Sequence, residues 1–535
     1  MVWLYTDPSF IKTQVNNIMK NRPHYKLIVK IFHLFASCLV LMTFYEMAFS
    51  QVVFTNDPVQ LAKLKQLQTR VEQNPGNLKA HEDFIRALDE GEPYPYLRHQ
   101  YSLWMKQFPK SATVIFALGK SLKNRNIPES NDFLLKALNL NPNIAEAWNL
   151  LASNAAISGD KLLMQEYAAK AKKSDPKNPE YAFTYAQSFA GVDSAKFDSL
   201  LIALVFRFPE SEIAASALLS LASNSNIESE KMAFFEQLYK RYSTKPWRIA
   251  EIGMEAYFNF LLNRTPQKAF ELALNMSLEP KVNHYLWNQK IVYARSFRGA
   301  KEMLELNKPL LALEILKTLQ ADFKDNEKFV LMKSQAIENA AGTKVAYDSL
   351  SRHYSIRPGK NLRIKLLEYA KKLNMDENEF NLDIESFREA SARQATDFSL
   401  EPYSSSVKTS LGDYKGKVTL LTYWFPACGP CHQEFPHIES VMKKFDKENV
   451  AYLGINIARN QDPYVLPSIK SKGYTFNPLK EVGRDKGNLD NTGRAPVNFL
   501  IDKKGRVIFS NFWIHENNTD MLELMISDLI KQKVE

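Results

Sequence analysis

The stretch AEAWNLLASNAAISGDKLLMQEYAAKAKKSDP, Ala145 to Pro176, carries Trp148, Leu151 and Ala152 at the three- and four-residue spacing of one helix face, with polar residues between. Gly159-Asp160 divides it into two such stretches, which predicts two helices joined by a tight turn. Kindred phrases, QFPKSATVIFALGKSL from Gln107 and RFPESEIAASALLSLA from Arg207, recur a hundred residues apart, and the helical pattern runs from 55 to about 375. ENEFNLDIESFREASARQ, Glu377 to Gln394, reads as a last polar helix or a connector. From about Ala395 the pattern changes. VTLLTYWF, Val418 to Phe425, is an apolar, β-branched and aromatic run after the turn signal Asp413-Tyr414-Lys415-Gly416, and predicts a buried strand. An amphipathic stretch to about Phe445 and a second apolar run, VAYLGINI from Val450, complete a strand, crossover helix and strand. APVNFLIDKKGRVIFSN predicts a hairpin turning at Lys504-Gly505, and TDMLELMISDLIKQ a closing helix.

Prolines give the helical part a period. Pro75, Pro109, Pro142, Pro176 and Pro209 follow one another at 33 or 34 residues, and Pro246 and Pro280 are again 34 apart. After Pro280 the rhythm blurs, though FKDNEKFV at Phe323 and IRPGKNL at Ile356 keep it. The spacing resembles that of tetratricopeptide repeats, with a degenerate sequence. The resemblance implies an all-α solenoid over residues 51–375 whose stacked helix pairs leave a concave groove for a peptide or protein ligand. The alternative is a non-repetitive helical domain with evenly placed prolines. No histidine or carboxylate cluster in this region reads as catalytic.

Composition sharpens the boundary near 400. Nine of the 18 glycines fall in the last 135 residues, so the long first part favours helices over turns. At 61.4 kDa the chain needs more than one core. The formal charge of +10 comes from 69 basic residues interspersed with 59 acidic ones, without a basic block interleaved with aromatics, which argues against a nucleic-acid partner. Five of the cations, Lys12, Lys20, Arg22, Lys26 and Lys30, precede an apolar run that ends in Ala48-Phe49-Ser50. That order predicts a leader over residues 1–50: an export signal, or an N-terminal membrane anchor, that places the rest in the periplasm. Met19 offers a more usual beginning for such a leader. His33 and Glu46 interrupt the core, which favours a cleaved signal over a permanent span. Cys38 lies within it and reads as a discarded residue rather than a lipidation site.

With the leader removed, two cysteines remain, Cys428 and Cys431, in WFPACGPCHQEFP. Zinc would need two more ligands. His432, His437 and His515 are the nearby candidates, but His432 abuts Cys431 and the pair lacks the usual following histidine spacing. A structural staple across two residues would close too small a loop to stabilise much. A C-x-x-C directly between a strand and a helix is the redox arrangement. The helix N-terminus favours the thiolate of Cys428, and Cys431, one turn along, can resolve a mixed disulfide.

WFPACGPCHQEFP, with Arg494-Ala495-Pro496, NFLIDKKGRVIF and the segment from Ala395 to Trp424, resembles the extracytoplasmic thioredoxin-like thiol-disulfide oxidoreductases of the TlpA and ResA kind over roughly residues 395–535. The resemblance implies a multidomain chain: the all-α solenoid, a connector over 376–394, and an α/β thioredoxin-like domain. It implies that Cys428 and Cys431 are catalytic with no cofactor beyond their own disulfide and no metal, that Glu434 handles protons and that Pro436 bends the helix. It implies that Pro496 is the family's cis-proline, and that Trp424, Gly429, Pro430, Ala495 and Pro496 meet the substrate. Two positions depart from the family. Ala427 stands where tryptophan is common, and Thr422 where cytosolic thioredoxins carry a buried aspartate. Gly429-Pro430 is the dipeptide of thioredoxin, whose couple sits near about −270 mV against about −120 mV for a strong oxidant, so reduction of partner disulfides is implied. The expected partners are protein disulfides or dithiols and a membrane or periplasmic electron donor. The rival is a non-catalytic scaffold that binds partners through the repeats and uses the thioredoxin-like domain for docking.

Overall fold

Proline cannot extend a helix and disfavours the α conformation in the residue before it. Helices Pro58–Gln73, Tyr94–Gln107, Ser130–Leu140, Lys161–Ser174 and Ser194–Arg207 accordingly each stop two residues before Pro75, Pro109, Pro142, Pro176 and Pro209. Helix Pro266–Leu278 stops two before Pro280, whereas Glu228–Tyr242 ends four before Pro246. These come from a computed structural model, which describes residues 58–89, 94–319, 326–481 and 485–532. The leader expected over 1–50, with Cys38, lies outside the described residues. Among the described residues no helix is long and apolar enough to cross a membrane.

The chain packs as two compact units, one ending at Leu118 and the other beginning at Gly119. In the first, Phe84, Tyr101 and Trp104 form an aromatic core, and the buried His81 ring is held by the Tyr101 hydroxyl at 2.9 Å. In the second, consecutive helices pack against one another. Helix Ala145–Ser158 ends on Gly159, whose φ of +78° only glycine adopts cheaply, and Asp160 caps helix Lys161–Ser174 by accepting the Leu163 N–H at 2.9 Å. The rhythm blurs after Pro280 because helix His284–Glu305 runs for 22 residues, longer than the others around it.

The expected connector holds a helix, α1 (Glu377–Ser391), started by a capping box on Asp376 and Glu379, and a strand, β1 (Arg393–Gln394). After it come a small hairpin, β2 (Ser399–Leu400) and β3 (Thr409–Ser410), then β4 (Val418–Trp424), α2 (Gly429–Met442), β5 (Val450–Asn456), α3 (Asp462–Lys472) and β6 (Asn477–Lys480). β7 (Val497–Ile501), β8 (Arg506–Ser510) and α4 (Thr519–Lys531) complete the chain's order. The main sheet runs β1-β8-β7-β4-β5-β6, with β4, β5 and β6 parallel and β7 antiparallel to β4. β4 is buried along its whole length: Val418, Leu420 and Trp424 face the core beneath α2 and α4, while Leu421 and Tyr423 face the one closed by Phe398, Leu400 and Leu411.

Polar contacts within this second unit join the sheet domain to the helices before it. Asn460 donates to the Arg125 carbonyl at 2.9 Å, Ser471 to the Ser158 carbonyl at 3.0 Å, and the Lys360 N–H to Asp520 at 2.8 Å. Arg388 of α1 is 4% exposed and donates to Asp528 of α4 at 2.9 Å, with Arg363 a further 3.5 Å contact on the same carboxylate. Removing one partner of such a pair strands a buried charge, which costs about 3 kcal/mol or more. Asp528→Ala is therefore expected to lower the stability of this unit by about 3 kcal/mol. A urea midpoint unchanged from that of the parent protein would refute this.

Candidate functional site

The loop that leaves the carboxyl end of β4 carries Phe425 to Cys428, and α2 begins at once with Gly429. Cys428 is the N-cap: its φ of −74° and ψ of 96° are extended, and its Sγ accepts the Cys431 N–H at 3.2 Å, taking the place of the oxygen a serine would supply. The two sulfurs are joined as a disulfide, with Cα atoms 5.3 Å apart. Cys431 has no exposed surface and Cys428 retains 2% of its own. Gly429 and Pro430, by contrast, are exposed beside them.

Glu434 follows Cys431 by three residues, so both lie on the buried face of α2. Its Oε1 accepts two hydrogen bonds, from Asn498 Nδ2 at 2.7 Å and from the Ile514 N–H at 2.8 Å. Its Oε2 is buried with no hydrogen-bond partner among the described residues. Burial raises its pKa from the usual 4.5 to about 7, against the two hydrogen bonds that favour the charged form. Asn498 is the hub of this arrangement. It also donates to the Phe512 carbonyl at 2.9 Å and accepts from Thr422 Oγ1 at 2.7 Å. Thr422, at the thioredoxin-aspartate position, thus reaches Glu434 through an amide, and its hydroxyl, which donates to Asn498, does not ionise as an aspartate would.

The Ala495–Pro496 bond is cis. Val497, next in line, opens β7 opposite Tyr423, which sets Pro496 level with the end of β4 from which the cysteine loop departs. Ala495 packs against the cluster that contains both cysteines. Pro436 lies inside α2, which continues to Met442. Trp424 is corrected: it is fully buried, with its ring edge-on to Phe435 at 5.7 Å and to Phe476 at 5.0 Å, so it is a core residue and not a surface for substrate. A strand residue takes whichever face the pleat gives it, and position 424 points inward.

Gln461, Tyr474 and Lys472, which the sequence did not single out, complete the site. The Ala427 N–H donates to Gln461 Oε1 at 2.8 Å, which ties down the residue before Cys428. His432 bridges the Pro426 carbonyl, 2.7 Å from Nε2, and the Tyr474 hydroxyl, 2.9 Å from Nδ1. A carbonyl can only accept, so Nε2 carries the proton and Nδ1 accepts from tyrosine. Burial, together with the Lys472 ammonium 3.0 Å away, holds this histidine neutral with a pKa of about 4. Lys472 is itself lowered to about 8, by burial first and by Lys161 second. Neither local spacing nor composition signals these partners, because they come from other segments of the fold.

A dithiol or disulfide at the first turn of a helix, after a parallel central strand and beside a cis-proline, defines a thioredoxin-like redox domain. Residues 390–519 match the Redoxin family. The chain is 30% identical over 124 residues to the thiol-disulfide oxidoreductase ResA of Bacillus subtilis, 23% of this chain and 67% of that protein. It is 35% identical over 115 residues to the thioredoxin-like protein YneN of the same organism, 21% of this chain and 66% of the relative. A solved thiol:disulfide interchange protein of the thioredoxin family from Chlorobium tepidum aligns with 26% of this chain and 97% of its own at 20% identity, with a TM-score of 0.22. The chain belongs to the ResA-type thiol-disulfide oxidoreductases, its family region following a long helical one.

Proposed function

We propose that this protein reduces disulfides of exported partner proteins with the Cys428–Cys431 dithiol, and that its helical region, a tetratricopeptide-like array, positions those partners. The observation that carries the reading is the place of Cys428 at the N-cap of α2, where the Cys431 N–H and the helix dipole stabilise a thiolate. In the reduced protein the Cys428 thiolate attacks one sulfur of the partner's disulfide. That bond breaks, and the partner's other sulfur leaves as a thiolate and takes a proton. Cys431 then loses its proton, for which Glu434, three residues on along the same buried helix face, is the acceptor in this scheme, and attacks the Cys428 sulfur. The partner's second sulfur is released, and the protein is left with the Cys428–Cys431 disulfide seen here. A dithiol donor at the membrane or in the periplasm returns the two electrons. The periplasmic location rests on the leader pattern and on family membership. Gly429-Pro430 between the sulfurs supports the reducing direction.

The scaffold reading is less well supported, since both cysteines are present and Glu434 is held in place by two donors. Cys431→Ser separates the two. The variant is expected to accumulate a mixed disulfide through Cys428, which mass spectrometry of the intact adduct would detect and name. A variant incubated with periplasmic extract that yields no thiol-sensitive adduct would set the enzyme reading aside.

A further inference from the structure

At each end of α3 one residue holds the cysteine loop while its neighbour holds the helical region. At the start, the buried Gln461 accepts the Ala427 N–H at 2.8 Å, and Asn460 beside it donates to the Arg125 carbonyl at 2.9 Å. Asp462, the first residue of α3, accepts from Asn456 Nδ2 at 3.0 Å, which ties this end to the last residue of β5. At the far end Ser471 donates to the Ser158 carbonyl at 3.0 Å, and its Oγ fills the place a Cβ at Gly159 would need. Lys472, next to it, stands 3.0 Å from the His432 ring. Gly473 then turns the chain at a φ of +69°, and the Tyr474 N–H returns to the Ile469 carbonyl at 3.1 Å, so Tyr474 is fixed to the helix end. Its hydroxyl donates to His432 Nδ1, and His432 Nε2 donates to the Pro426 carbonyl.

Pro426 and Ala427 immediately precede Cys428, so the backbone that delivers the nucleophile to the N-cap is pinned twice, by its carbonyl at 426 and its N–H at 427. Gln461 makes one pin and Tyr474, through His432, makes the other. The 11 residues of α3 between them form a stiff rod of about 16 Å. A shift of its seat against helix Ala145–Ser158 therefore reaches both pins together. The N-cap geometry decides how well the Cys431 N–H, 3.2 Å from the Cys428 sulfur, and the helix dipole stabilise a thiolate. Misplacing a reacting group by about 1 Å can cost about 10²-fold in rate.

We propose that Gln461 and Tyr474 are positioning residues for Cys428, and that the helical region, seated on α3 at Arg125, Ser158 and Gly159, sets where they hold the cysteine loop. The helices thus tune the dithiol itself, whatever they do for partner choice. The inference rests on the thiol-disulfide reading of the cysteine pair and is independent of the direction of electron flow. Gln461 and Tyr474 act through Ala427 and Pro426 and take no part in the sulfur chemistry.

The test uses the full-length protein and three variants: Gln461→Leu, which removes the acceptor at the site end; Ser471→Trp, which forces α3 off Gly159; and Lys470→Trp, an equal change at an exposed neighbour. Two quantities are measured for each, the proton affinity of Cys428 from the pH profile of its alkylation and the equilibrium of the cysteine pair with glutathione. A urea midpoint reports stability separately. Gln461→Leu should raise the proton affinity about threefold or more and move the glutathione equilibrium toward the disulfide, because a less stabilised thiolate makes the reduced form less stable. Ser471→Trp should shift both in the same direction, and Lys470→Trp neither. Should Ser471→Trp prove unfolded, Asn460→Ala with Ser471→Ala, which removes only the two donors to the helical region, takes its place under the same criteria. Parental values in Gln461→Leu or in the variant at the helical seat, or an equal shift in Lys470→Trp, would overturn the proposal. A parent protein whose cysteines exchange with no glutathione at all would instead remove the thiol-disulfide reading, and the inference with it.

Discussion

Cys428→Ser is expected to lower reduction of a disulfide substrate such as insulin by at least about 10³-fold, with the fold intact. Serine can cap a helix as well as the sulfur does, so α2 should form normally. What is lost is the nucleophile. A thiolate at this N-cap is stabilised by the Cys431 N–H, 3.2 Å from its sulfur, and by the helix dipole, whereas a serine hydroxyl stays protonated at any working pH. The same reasoning predicts that, in the reduced parent protein, alkylation of Cys428 follows a pKa below the ordinary value of about 8.5. Because Cys428 is only 2% exposed in the disulfide form, alkylation also reports whether reduction gives reagents access to the sulfur. Insulin reduction by the serine variant at the parent rate, or a reduced Cys428 that resists alkylation, would leave the site without its chemistry.

Glu434→Gln should have the next largest effect, and it separates stability from turnover. The carboxyl is raised to about 7 by burial, so between the unfolded value near 4.5 and about 7 the folded protein binds more protons than the unfolded chain. Stability contributed by this group therefore falls as pH rises through that window. The charged form at pH 8 costs on the order of 3 kcal/mol relative to acid. Glutamine keeps the acceptor for Asn498 and Ile514 and carries no charge, so the variant should be more stable than the parent at pH 8 and nearly as stable at pH 5. It cannot take a proton from Cys431, and turnover at pH 7 is expected to drop by about 10²-fold, with the step near pH 7 gone from the rate profile. A variant with the parent's pH profile would show Glu434 to be structural.

Much of the fold was legible in the chain. The marker prolines and the Gly159-Asp160 break give helix ends because the cost of helical backbone at proline, and the ease of a left-handed turn at glycine, are properties of a few adjacent residues. Val418 to Trp424 could be read as a doubly buried strand from composition alone. The hairpin at Lys504-Gly505 was equally local, and Gly505 indeed takes a φ of +80°. The end of the connector was less legible: two residues of it, Arg393 and Gln394, pair with β8, and nothing nearby marks Arg393 as the start of a sheet edge.

The site divides along the same line. The sequence by itself determined that Cys428 would begin a helix with Cys431 one turn on and Glu434 one turn further, since i, i+3 geometry belongs to the helix and not to its surroundings. Only the tertiary structure decided that Trp424 turns into the core, that Asn498 and Ile514, 64 and 80 residues further along the chain, grip Glu434, and that burial moves its pKa to about 7. It alone sets α2 along a cleft shared with helices some two hundred residues earlier in the chain. The physical reason is range. Backbone preference and side-chain spacing act over a turn or two and can be read in order along the chain, whereas desolvation and long-range hydrogen bonds depend on which distant segments the fold brings together.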